Sequence, residues 1–135
     1  MIGILIVAHG AFGEALIHSA SHVLGKRPQR VRQVGVTVHD DPEAILPQAR
    51  ELVKQLDEGD GVLVLTDIYG ATPGNIAARL IVPGRVEGVS GVNLPMLIRA
   101  LTYREQGLAR AVEKALSGGT EGVLHMTTDR CNAQR

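Results

Sequence analysis

The hydrophobic pattern of the chain switches repeatedly between two kinds of segment. Ile2 to Ala8 and Val62 to Leu65 are almost unbroken apolar runs, the pattern of strands covered on both faces of a parallel sheet. Val31 to Val38 alternates apolar and polar positions, which predicts a strand nearer the sheet edge. Val86 to Val92 predicts a weaker fourth strand, because it carries Gly88 and Gly91. Segments of helical period lie between these runs. Leu16, Ala20, Val23 and Leu24 predict a helix closed by Gly25. Ile45, Leu46, Ala49, Leu52, Val53 and Leu56 predict a second, started by Asp41-Pro42. Ile76, Ala77, Leu80 and Ile81 predict a third, with Thr72 as N-cap, Pro73 as first helical residue and Pro83-Gly84 as its stop. Asn93 to Leu97 turns into a helix through Leu101, and a last helix is expected from about Leu108 to Leu116, broken by Gly118-Gly119. Gly122 to Thr127 then predicts a short fifth strand at the sheet edge, free to run antiparallel because no helix follows it.

Alternation of strand and helix implies a doubly wound, mostly parallel α/β sheet with helices on both faces. The common small order, 2-1-3-4, puts the switch point between the first and third strands, where ligands bind beyond the carboxyl ends. Those two strands run into His9 and Asp67. Two polar side chains far apart in sequence are thereby expected to face each other across one crevice.

Composition narrows the reading. The 135 residues make one domain, expected to occupy residues 1–127, with a polar, disordered tail over 128–135. Fourteen basic residues balance fourteen acidic ones, and no basic run marks a nucleic-acid footprint. The single Cys131 allows no internal disulfide and suits a reducing cytoplasm. The opening apolar run is too short to span a bilayer and lacks a basic leader, so it is read as a strand and not as a signal peptide. Phe12, Tyr69 and Tyr103 are the only aromatics, which makes Tyr69, beside Asp67, informative if exposed. His18 and His22 are four apart on the face of the first helix opposite its apolar stripe. A zinc site needs more ligands, and no Glu adjoins His18 as in a metalloprotease signature, so they are assigned to a solvated face and no metal site is expected. His125 is assigned a structural role.

A carboxylate beside an imidazole fixes its tautomer by accepting one ring proton, leaving the other nitrogen as a nucleophile. Gly10 and Gly70 permit close backbone approach, the Thr72 hydroxyl adds a donor, and helix amides after Gly10 and Thr72 favour a phosphate. The residues thus fit a phosphorylatable His9 with no cofactor. They fit equally a histidine capping a buried strand and an aspartate capping its own loop.

Val7-Ala8-His9-Gly10, the segment Thr66 to Pro73 with Asn75, and Gly91 to Leu97 resemble the enzyme IIA domain of the mannose-type sugar phosphotransferase system of bacteria. The resemblance runs from Met1 to about Thr127. It implies that His9 takes a phosphoryl group from the phosphocarrier protein HPr on Nε2 and passes it to a separate enzyme IIB. Asp67 would orient the ring, and Gly10, Gly70, Ala71 and Thr72 would hold the phosphate. Ala71 and Thr72 stand where some members carry Gly and Ser, which keeps a backbone amide and a hydroxyl. A cytoplasmic homodimer is implied, with a final strand that can exchange between subunits and membrane contact only through a permease complex. The alternative within the family is a phosphorylation-dependent regulator without a cognate permease. Outside it, a nucleotide-binding module is disfavoured because the first glycine of the dinucleotide fingerprint is missing. A receiver domain would need acidic Mg²⁺ ligands where Ala8-His9 stands, and a histidine phosphatase would need an arginine at Ala8.

Overall fold

The computed structural model describes residues 1–127. Its elements are β1 (Gly3–His9), α1 (Phe12–Leu24), β2 (Val31–Val36), α2 (Pro42–Leu56), β3 (Val62–Thr66), α3 (Thr72–Ala78), β4 (Val86–Ser90), α4 (Leu94–Tyr103), a 3-10 turn (Arg104–Gln106) and α5 (Leu108–Glu121). The four strands form one parallel sheet in the order β2-β1-β3-β4, as the alternating pattern predicts. In register, Val7 of β1 lies between Val34 of β2 and Thr66 of β3.

Both faces of β1 and β3 are covered, which accounts for their unbroken apolar sequence. On one face Ile2, Ile4, Ile6, Leu63 and Leu65 pack against Ile17 and Ala20 of α1, Met96, Leu97 and Ala100 of α4 and Ala111 and Ala115 of α5. On the other, Leu5, Val7, Val62 and Val64 meet Leu46, Ala49 and Leu56 of α2 and Ile76, Ala77 and Leu80 of α3. Asp41 accepts the Glu43 amide at 3.0 Å and caps α2 ahead of Pro42, and Gly25, at φ 80°, closes α1 in the left-handed region.

Several sequence expectations need correction. In α1 the buried side is Gly13, Ile17 and Ala20, whereas Val23 and Leu24 are exposed; the buried stripe begins earlier in the helix than the apolar period predicts and does not reach its last turn. Ala71 is the N-cap of α3 and Thr72 its first helical residue, one position earlier than expected. The glycine pair does not break the last helix. α5 continues through Gly118-Gly119 to Glu121 because the missing side chains let it lie directly against Pro95, Met96 and Arg99 of α4. Gly122 to Thr127 forms no strand: 122–125 are irregular and 126–127 helical. The outer edge of β4 is bridged only by Val82, which exchanges two backbone bonds with Val86 at 3.0 and 2.8 Å, among the described residues. The expected tail, 128–135, lies outside the described residues.

Candidate active site at the carboxyl ends of β1 and β3

β1 ends at His9 and β3 ends one residue before Asp67, and the central position of both strands brings the two side chains together. The Asp67 carboxylate clasps His9 twice. Oδ2 accepts the His9 backbone amide at 3.0 Å and pairs with ring Nδ1 at 2.7 Å. Oδ1 accepts the Ile68 amide at 3.0 Å and lies 3.5 Å from the Thr66 hydroxyl. The carboxylate is thus fixed from both ends before it holds the ring. Burial of Asp67 works against ionisation and is the largest single influence on it. The hydrogen bonds from the His9 amide and ring, with the favourable field of the imidazole, together outweigh that burial and hold the carboxyl below its ordinary range. With Asp67 ionised, Nδ1 carries the proton and donates, and the lone pair is left on Nε2. The His9 side chain is 52% exposed against 14% for Asp67, so the carboxylate is sheltered and the imidazole is presented to solvent.

The turn from His9 into α1 depends on two glycines. Gly10 adopts φ 52°, a conformation that costs other residues about 1–2 kcal/mol. Its amide donates to the Val36 carbonyl at 2.9 Å, so Gly10 contributes shape here and its N–H is already engaged. Its carbonyl passes so close over Gly35 that a Cβ there would collide with it. Gly35 was not singled out from sequence. An interior glycine in a strand, a sign of close backbone approach, was the available signal. In α1 the first helical bond runs from Ala15 to Ala11, which leaves the amides of Phe12, Gly13 and Glu14 unused by the helix at its positive end.

Gly70, at φ 85°, Ala71 and Thr72 follow Asp67 on the loop into α3. They lie at the same end of the sheet, but among the described residues no hydrogen bond joins them to His9. Gly70 instead borders a cavity of about 190 Å³ with Thr66, Tyr69, Asn75, Gly88 and Ser90, beside the β4 edge. Four apolar side chains that follow the carboxyl ends of β1, β2 and β3 are exposed, Phe12, Val38, Ile68 and Tyr69, with Tyr69 at 87% and Val38 at 93%. Tyr69 thereby meets the expectation attached to it. Val38, inside the strand that the alternating pattern predicts, lies instead in the turn after β2, next to the exposed His39.

This arrangement coincides with comparisons to known proteins. Residues 3–116 match the family model described as PTS system fructose IIA component. The chain is 32% identical over 125 residues to the PTS system mannose-specific EIIAB component of Escherichia coli K12, covering 90% of this chain and 38% of that protein. It therefore spans well under half the length of that two-component relative. It is 33% identical over 106 residues to the PTS system fructose-specific EIIA component of Bacillus subtilis, covering 78% of this chain and 72% of that one. Among solved structures, phosphotransferase system component EIIA from Streptococcus agalactiae superposes with a TM-score of 0.84 at 27% identity, covering 95% of this chain and 99% of that one.

Proposed function

The chain belongs to the PTS fructose IIA component family, whose members are phosphocarriers acting through phosphohistidine, and from that premise we propose that His9 is its phosphoryl carrier, loaded by HPr and discharged to an enzyme IIB. The observation that carries the assignment is the 2.7 Å contact between Nδ1 of His9 and Asp67, on a His9 side chain that is 52% exposed. The Nε2 lone pair attacks the phosphorus of the donor's phosphohistidine. The new N–P bond forms as the donor's N–P bond breaks, and the electron pair returns to the donor imidazole. The Nδ1 proton stays in its bond to Asp67, whose charge stabilises the positive charge that develops on the ring. Discharge to the acceptor reverses these events.

Amides at the start of α1, the backbone of Gly70 and Ala71 and the Thr72 hydroxyl are the groups we assign to the phosphoryl oxygens. Gly10 shapes the turn that presents them. The exposed apolar side chains of Phe12, Val38, Ile68 and Tyr69 support docking of both protein partners over the dyad. A homodimer is also part of this reading. The largely uncovered edge of β4 and the exposed Val123, Leu124 and Met126 suit pairing of the C-terminal segment with a second copy. A cytoplasmic setting goes with the donor system and with a single cysteine.

The test is intact-protein mass after incubation with enzyme I, HPr and phosphoenolpyruvate. One acid-labile phosphoryl adduct is expected on the parent and none on His9→Ala. No adduct on the folded parent, or an undiminished adduct on the variant, sinks the assignment. Light scattering on the same sample reads the dimer separately, a monomer mass counting against it.

A further inference from the structure

The exposed side of α1 carries a feature that phosphotransfer does not use. Glu14, His18, His22 and Lys26 recur every fourth residue along it, and periodicity alone marks them as a solvated face. In the structure the two imidazoles are not independent. Their Nε2 atoms lie 3.3 Å apart, with ring centroids separated by 4.8 Å and planes at 77°. One neutral ring can donate its Nε2 proton to the other's lone pair, so the pair shares a single proton between two nitrogens. A metal ion that takes that proton's place gains both lone pairs at once.

We propose that His18 and His22 form a bidentate site for a borderline divalent transition ion, of which Zn²⁺ is the representative. Two nitrogens at about 2.0–2.1 Å from a tetrahedral zinc are about 3.3–3.4 Å apart, so the spacing needs no adjustment of the backbone. Both rings are exposed, so rotation about χ1 and χ2 is open to them for turning the two lone pairs to a common point. Ser21, Gly25 and Lys26 border an open hollow beside the pair, which leaves room for water in the remaining coordination positions. Glu14 does not supply a third ligand: Arg27 holds its carboxylate at 3.0 and 3.4 Å. Among the described residues no group of three or more metal-ligating side chains converges anywhere, so the site is an open, exchangeable chelate with two protein ligands. Imidazole nitrogen selects Cu²⁺, Ni²⁺ and Zn²⁺ and leaves the hard ions Mg²⁺ and Ca²⁺ unbound.

Zn²⁺ titration by calorimetry tests this on the full chain carrying Cys131→Ser, which removes the only thiol, with Mg²⁺ as the negative control. One Zn²⁺ per chain is expected to bind. Loss of an outer-shell partner alone weakens metal binding by about 10–100-fold, so His18→Asn and His22→Asn should each weaken it at least tenfold. His39→Asn, an exposed histidine outside α1, should leave it unchanged. Absence of saturable Zn²⁺ binding, equal affinity in the parent and both α1 variants, or half a Zn²⁺ per chain would each overturn the proposal. His9 and Asp67 are intact in every variant, so phosphorylation measured on the same proteins stands or falls independently.

Discussion

At the scale of the residue, the dyad joins a sheltered carboxylate to an exposed ring, and the proposed phosphotransfer gives each its own part. Asp67→Asn keeps the size and replaces an acceptor by an amide that can also donate. The ring then has no charge to hold its proton on Nδ1, and the wrong tautomer presents N–H where the lone pair is needed. Loss of the orienting carboxylate from such a pair costs about 10⁴-fold in the best-characterised hydrolase triad, and a fall of about 10²–10⁴ in the rate of phosphorylation by HPr is expected here. Stopped-time mass spectrometry over minutes measures it, and a rate within a few-fold of the parent would remove Asp67 from the mechanism. The folded-state pKa of Asp67 is depressed, so its contribution to stability is complete above the unfolded aspartate value of about 3.9 and is lost as pH falls through the folded value. The stability difference between parent and Asp67→Asn, read from urea melts, should therefore shrink as the pH is taken from neutral to below 3.9. The pair was legible in sequence because each member terminates an apolar run. Gly35 was not, because the reason for a glycine there is a carbonyl from β1's turn that only the folded chain brings overhead.

At the scale of the element, pattern was reliable where burial on the sheet decides the structure and failed where one helix decides another. The strands and α2 follow from hydrophobic period alone, since their neighbours are the sheet and its covering layer. Gly118-Gly119 is a helix-breaking signal by propensity, yet in α5 it is the contact surface toward α4. Asn93 completes that contact: it caps α4 by accepting the Met96 amide at 2.9 Å and donates to the Gly119 carbonyl at 3.1 Å. The expected fifth strand is absent as well: α5 ends at Glu121, and the segment after it is irregular over 122–125 and helical at 126–127. Two neighbouring substitutions separate packing from propensity. A Cβ at Gly118 would stand 2.8 Å from Arg99 Cβ and 3.1 Å from the Pro95 carbonyl, atoms anchored to the α4 backbone. At Gly119 the nearest atom is Met96 Cε, 2.7 Å away at the end of a flexible side chain. Gly118→Ala should destabilise by about 1–3 kcal/mol through overpacking. Gly119→Ala should be close to neutral, because a helix-propensity gain of about 1 kcal/mol offsets the displaced methyl. Urea denaturation of both variants measures the contrast, and equal losses would contradict the packing account.

At the scale of the whole molecule, the Arg104 clamp and the proposed phosphotransfer site lie at opposite ends of the sheet. The carboxyl ends of the strands carry His9 and Asp67, while the amino ends are tied together by Arg104, a buried side chain in the 3-10 turn between α4 and α5. Its guanidinium donates to the carbonyl of Ile2 from Nε and Nη2 at 3.1 and 2.8 Å, to Gln29 at 2.6 Å and to Arg30 at 2.9 Å. These bonds join the start of β1 to the loop before β2, as the planar fork of arginine allows and a lysine would not. Burial, and then the neighbouring Arg30 charge, lower its pKa, yet both act on a group whose three nitrogens each donate to a carbonyl oxygen. Arg104→Ala leaves those carbonyls facing a gap and removes several charge-assisted bonds, a loss of about 2–4 kcal/mol. For a chain of this size that corresponds to a fall in Tm of roughly 10 °C. The dyad is at the far end, so the fraction that remains folded at 20 °C below its own Tm should accept phosphate from HPr at the parent's rate. Calorimetry gives the first quantity and adduct formation the second. A lowered Tm with an unchanged rate separates the clamp from the site, whereas a matching loss of rate would show that the amino ends of the strands help set the geometry of His9.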